Sequence, residues 1–176
     1  MELKNLSIGA EELKILEKIN EEAIPDSERN SLSDLLSSGA TVTGIYSAGE
    51  PVGFLVTRVY KNISYLAYLA IRSDLRSKGL GGISLRKLLE TYPDKKVVVE
   101  FEAETLENEA DDFVKRRKNF YMRNGFAETG WFTFYDDTEF EIGCANNEFD
   151  IDEFNEFTEY LSSIISDHIP EPYRKA

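Results

Sequence analysis

Histidine and cysteine are nearly missing from this sequence: the 176-residue chain holds one of each, His168 and Cys144. His168 lies close to the C-terminus and reads as a surface residue, so neither a Ser-His-Asp triad nor a histidine metal site is available. A lone cysteine forms no internal disulfide, and a chain without a disulfide framework fits a reducing compartment. Cys144 falls in a strand pattern and reads as a small core residue. Long apolar runs are missing too. The longest apolar stretches, such as residues 66–71 and 97–99, are far short of the ~20 residues that span a bilayer. The N-terminus shows no basic segment followed by an apolar core, so no signal peptide is expected and a cytoplasmic location is. Basic residues are scarce: 20 Lys plus Arg face 33 Asp plus Glu, a formal net charge of −13. Such a surface excludes nucleic acid and anionic membrane as general partners and favours cations. The excess is concentrated, with 18 acidic and 5 basic residues between positions 100 and 159. It makes either a solvated acidic face or a rim that attracts a cationic substrate. The acidic run at 150–153 lacks the central glycine of a calcium loop and reads as a helix N-terminus, so no metal is expected. With 5 prolines and 11 glycines there is no linker-like stretch and no internal repeat. One domain over residues 1–176 is expected, with a final helix near 150–166 as a C-terminal extension.

What is present alternates between strand and helix patterns. Residues 1–8 suit a short edge strand. Residues 10–19 place Leu13, Leu16 and Ile19 at helical spacing, and 31–38 suit a short helix opened by Ser31 or Ser33 and closed by Gly39. Residues 41–46 and 52–59 are rich in β-formers around a turn at 48–51. A strand at 64–71, a helix at 81–91 and a strand at 97–102 predict a parallel crossover. A helix at 111–124 closed by Gly125, strands at 127–134 and 139–144, and the last helix follow. The expected fold is α/β (α+β): one mixed sheet with helices on both faces.

The most informative stretch is Leu69-Ala70-Ile71-Arg72-Ser73-Asp74-Leu75-Arg76-Ser77-Lys78-Gly79-Leu80-Gly81-Gly82. A buried strand enters a polar turn, and glycines open an apolar helix. Glycine permits positive φ and close approach of a ligand to the backbone. The free N–H groups of the first helical turn converge on an anion, with Arg76 and Lys78 beside it. This favours phosphate or pyrophosphate. The lysine of a P-loop is missing, and Ser84 stands where a dinucleotide fingerprint needs glycine or alanine. Arg76-Ser77-Lys78-Gly79-Leu80-Gly81 does match the pattern Arg/Gln-x-x-Gly-x-Gly/Ala. A nucleotide held by this loop is the competing reading.

In these residues, in the order of its elements and in Phe120-Tyr121-Met122-Arg123-Asn124-Gly125-Phe126, the chain resembles the GNAT superfamily of acyl-coenzyme A-dependent N-acetyltransferases. The resemblance implies that residues 76–82 bind the pyrophosphate of acetyl-coenzyme A. It also implies that backbone groups at Leu69 and Ile71 pair with the pantetheine arm where two parallel strands splay apart. The cofactor-binding set it implies is Leu69, Ile71, Arg76, Ser77, Lys78, Gly79, Leu80, Gly81, Gly82 and Asn119, with the basic run Arg116, Arg117 and Lys118 either reaching phosphates or facing solvent.

The chemistry so implied needs a base, because an alkylammonium has a pKa of ~10.4 in water. It also needs an oxyanion donor near Ile71 and an acid for the departing thiolate. Tyr121 is the candidate acid. Glu100 and Glu102, which share a face with Glu104 by the period of two, are the candidate bases. No activated nucleophile is visible, so direct attack in a ternary complex is expected. The expected partners are acetyl-coenzyme A and an amine acceptor, with a cationic one favoured by the acidic balance, and the protein is a monomer or homodimer. A coenzyme-binding module without turnover is the alternative, and Trp131, Phe132, Phe134 and Tyr135 are assigned to core packing or to the acceptor side.

Overall fold

The computed structural model describes residues 1–105, 112–166 and 168–176. Seven strands form one mixed sheet in the order β1-β2-β3-β4-β5-β7-β6, with β4 and β5 parallel. They are β1 (Glu2–Asn5), β2 (Thr41–Ser47), β3 (Glu50–Tyr60), β4 (Ile63–Ile71), β5 (Lys96–Glu102), β6 (Ala127–Tyr135) and β7 (Thr138–Ala145). The helices are α1 (Glu12–Ala23), α2 (Leu32–Ser37), α3 (Leu80–Thr91), α4 (Asp112–Met122) and α5 (Ile151–Ile164). The expected start of α4 at Asp111 lies outside the described residues. Two compact units divide the chain. The first comprises Met1–Val59 and Leu66–Leu88, the second Tyr60–Tyr65 and Leu89–Ala176.

In the first unit the helical stripe of α1 buries Leu13, Leu16 and Ile19 against Leu32, Val42, Phe54, Val56 and Ala70. Ser31 caps α2 by accepting from the Asp34 N–H at 3.0 Å, which satisfies one of the donors a helix start leaves free. The buried guanidinium of Arg58 closes the other end of α2, donating to Ser38 O at 2.8 Å and Ser38 Oγ at 2.7 Å. Ala48 and Gly49 have φ of +50° and +84°. Two consecutive left-handed residues are what a tight hairpin between right-twisted strands requires. Gly53 answers a different need, since a Cβ there would sit 2.3 Å from Ala70 O.

In the second unit, Val98, Ile142 and Cys144 form a core with Phe154, Phe157 and Leu161 of α5. Strand alternation sorts the two faces. Val98, Glu100 and Ile142 share the α5 face. Val99, Phe101, Glu141 and Gly143 face α4, where a Cβ on Gly143 would meet the Phe101 ring at 2.9 Å. Asp150 caps α5 through the N–H groups of Asp152 and Glu153. Beyond the end of α4 the chain turns at Gly125 (φ +98°), with Phe126 N–H reaching back to Tyr121 O at 3.3 Å, a Schellman closure. In β6 the register shifts between Glu128 and Phe132. Thr129 bridges the irregularity, with its hydroxyl donating to Ile142 O at 2.8 Å and accepting from Trp131 N–H at 3.1 Å.

Sequence periodicity misses one feature of this unit. Tyr173 exchanges both backbone hydrogen bonds with Phe132 at 2.8 Å. Its hydroxyl donates to Glu139 at 2.5 Å, and Lys175 ion-pairs with the same carboxylate at 2.5 Å.

Candidate functional site

The glycine-rich loop lies in the first unit. A short 3-10 turn, Ser73–Leu75, leaves β4 and is bracketed by the Arg72–Asp74 ion pair at 2.7 Å. Arg76 then turns back and its Nε donates to Ile71 O at 3.0 Å. This fixes the loop to the end of β4. Ser77 and Gly79 take φ of +62° and +80°, and α3 starts at Leu80. The N–H groups of Leu80, Gly81 and Gly82 fall in the first turn, ahead of the helix's own ladder. A Cβ on Gly79 would meet nothing within 4 Å, so the backbone is open to close approach there. These features fit a pyrophosphate: successive amides, an open glycine, and the exposed cations Arg76 and Lys78. Gly81 carries no positive φ, because it is already inside α3, and the left-handed positions are Ser77 and Gly79. Leu69 is half-buried and Ile71 buried.

The other sequence-derived candidates lie in the second unit. Glu100 is half-buried on β5 and receives three hydroxyl donors. Tyr65 OH donates to Oε2 at 2.6 Å, Tyr135 OH reaches the same oxygen at 3.4 Å, and Thr133 Oγ1 donates to Oε1. Loss of solvent pushes the Glu100 carboxyl above its ordinary range, although hydrogen bonds from Thr133, Tyr65 and Tyr135 pull the other way. Burial, followed by the adjacent Glu100 charge, pushes the Tyr135 phenol up. Glu102 is half-buried two residues along the same face. Sequence reasoning missed Tyr65 and Thr133. The period-two face of β5 was readable, but which residues of β4 and β6 lie across from it depends on register.

Tyr121 is on the α4 side of the same strand. Its ring stacks on Phe101 with centroids 5.5 Å apart and meets Phe120 and Phe126 edge-on at 5.3 and 5.5 Å. Burial raises its phenol pKa, and Arg117 opposes the shift. Asn119 is exposed on α4, as are Arg116 and Arg117. Lys118 is not, since it ion-pairs with the buried Glu141 at 2.9 Å and with Glu128. It is therefore committed to holding α4 against β6 and β7.

Residues 10–126 match the model of the acetyltransferase (GNAT) family. The chain belongs to that family. Its fold is shared by a protein from Bacteroides thetaiotaomicron assigned to the GNAT family, with a TM-score of 0.75 and 22% identity over 94% of this chain and 98% of that one. The ribosomal-protein-S18-alanine N-acetyltransferase of Escherichia coli is similar with a TM-score of 0.61 and 17% identity, over 82% of this chain and 92% of that one. A GNAT acetyltransferase from Elizabethkingia anophelis, solved with acetyl-CoA bound, gives a TM-score of 0.61 and 14% identity over 82% and 96%. No curated protein matches the chain. As a GNAT acetyltransferase the protein is a transferase. No helix among the described residues is long and apolar enough to cross a membrane.

Proposed function

We propose that this GNAT protein is an N-acetyltransferase that moves an acetyl group from acetyl-coenzyme A to a primary amine by direct attack in a ternary complex. The observation that carries the reading is Glu100: a half-buried carboxyl that accepts from three neutral hydroxyls, on the strand that follows a pyrophosphate-type loop and helix. A base tuned upward accepts a proton efficiently near neutral pH.

Residues 76–82 hold the coenzyme's phosphates, and the backbone at Leu69 and Ile71 holds its arm. Bound there, the coenzyme supplies an activated acetyl thioester. Glu100 takes a proton from the acceptor's ammonium and frees the nitrogen lone pair for attack. Tyr121, kept protonated by burial, gives its hydroxyl proton to the departing sulfur. Glu102 stays at the rim of the Glu100 face and adds negative charge that draws a cationic acceptor. Cys144 is buried and its thiol is pushed up to about 11, chiefly by burial. A thiol so reluctant to ionise is a poor nucleophile, which supports direct attack over a covalent acyl-enzyme.

Two measurements test the reading. Calorimetry with acetyl-coenzyme A, ATP and NAD should give binding for the first alone. A thiol-release screen against varied amines should give turnover that Glu100→Gln lowers by about 100-fold or more. Binding without release for any amine would overturn the transferase reading in favour of a coenzyme-binding module.

A further inference from the structure

The partly buried glutamates of the second unit differ in what holds them. Glu139 pairs with Lys175, Glu141 with Lys118 and Glu153 with Lys96. Glu100 pairs with no cation among the described residues, and its donors are all neutral hydroxyls. Those hydroxyls are themselves fixed. The Tyr65 ring packs on Phe157 of α5 with centroids 5.3 Å apart, and the Tyr135 ring meets Phe140 edge-on at 5.6 Å. Thr133 is 1% exposed on β6. Glu102 of β5 shares this face, together with the apolar Val98, Ile142 and Phe140, of which Ile142 lies opposite Glu100.

A carboxylate has two acceptor positions on each oxygen. Oε2 has both engaged, by Tyr65 and Tyr135, whereas Oε1 receives Thr133 alone. Among the described residues, one acceptor position, on Oε1, is therefore open. Resting on the transferase reading above, we propose that Tyr65, Thr133 and Tyr135 are positioning residues that orient Glu100 so that the open side of Oε1 receives the acceptor's proton. In that step an ammonium N–H bond breaks, an O–H bond forms on Oε1, and the nitrogen keeps the electron pair. The acceptor's ammonium is the counter-ion that Glu100, unlike Glu139, Glu141 and Glu153, lacks among the described residues.

The test follows the Glu100 carboxyl directly, by carbon-detected NMR titration of protein labelled at glutamate, with no coenzyme or amine present. The pH profile of kcat/KM is recorded in parallel for wild type, Tyr65→Phe, Thr133→Val, Thr133→Ser and Tyr135→Phe. Each hydroxyl stabilises the charged form, so its loss raises the Glu100 pKa. Tyr65→Phe and Thr133→Val should shift the titration upward by about 1 pH unit, and Tyr135→Phe by less, given its longer contact. The limb on which kcat/KM rises with pH should move by the same amount, and Thr133→Ser should restore it. Unchanged titrations in folded Tyr65→Phe and Thr133→Val overturn the proposal, as does a titration that moves while the kinetic limb stays. Should Thr133→Val not fold, Tyr65→Phe and Tyr135→Phe decide by the same criteria. A wild type that acetylates no amine overturns the transferase reading on which the proposal stands, and the NMR shifts then show separately whether the hydroxyls hold the carboxylate.

Discussion

Glu100 and Phe101 are consecutive residues of β5 that serve opposite faces of the sheet. Phe101 stacks on Tyr121 beneath α4, while Glu100 turns to Tyr65, Thr133 and Tyr135 on the side of α5. One peptide bond thus separates the candidate base from the platform of the candidate acid. The two proton-transfer roles can be removed independently, because neither side chain touches the other's surroundings.

Glu100→Gln keeps the shape of the residue and removes its ability to take a proton. Amine-dependent thiol release should fall by about 100-fold or more. The affinity for acetyl-coenzyme A, read by calorimetry, should not change. Equal losses in both would place Glu100 among the binding groups instead.

Tyr121→Phe should lower kcat with little effect on the KM for the amine, since the aromatic packing survives and only the hydroxyl is lost. The sign of the pKa shift adds a second check. A phenol raised above its usual value of about 10 stays protonated through the working range. The wild-type profile should therefore show no loss of rate from this group below pH ~10.

Gly79→Val should weaken coenzyme binding more than Gly81→Val. At Gly79 a β-branched residue meets a φ of +80°, which costs ~1–2 kcal/mol of backbone strain. At Gly81 the backbone is helical and only the side-chain bulk opposes the ligand. Calorimetric titration of the two variants ranks them, and the reverse order would remove the left-handed turn from the coenzyme site.

Lys118→Met leaves Glu141 buried without its strongest partner. Breaking such a pair costs ~3 kcal/mol, measurable as a lower midpoint in denaturant. Desolvation pulls the Lys118 pKa down, but hydrogen bonds to Glu128 and Glu141 outweigh it, so the folded value lies above 10.5. That stabilisation is complete at neutral pH and is lost as pH rises through the folded pKa. As pH rises, the difference in stability between wild type and variant should shrink in that alkaline range.

Glu139 responds at the other end of the scale. Desolvation raises its pKa, while Lys175 and Tyr173 together bring it below 4.5. The contribution of the Tyr173–Lys175 strap is present above pH ~4.5 and disappears as pH falls through the depressed value. The protection of the Phe132 amide against hydrogen exchange, relative to its intrinsic rate at each pH, should fall over that acid range, since this amide donates to Tyr173 O. Glu139→Gln should lower that protection already at pH 7.

Much of this was legible in the sequence, and the omissions have physical causes. Helical spacing located Leu13, Leu16 and Ile19, and the turn residues Gly39, Gly49 and Gly125 take the positive φ expected of them. The loop from Arg76 was readable because its residues are contiguous. Tyr65 and Thr133 were not, because they meet Glu100 only through the pairing of strands 33 and 35 residues away. Lys118 looked like part of a basic run until the fold brought Glu141 and Glu128 beside it. The Tyr173 bridge carries no periodic signal at all, since a single pair of backbone bonds has no pattern to read.

The burial of Cys144 has a practical consequence. The chain owns a single sulfhydryl, and it is 5% exposed and pushed up to about 11. A chromogenic disulfide reagent added to the folded enzyme should therefore count only coenzyme sulfur as it is liberated. Colour that scales with enzyme concentration alone would report molecules that have opened.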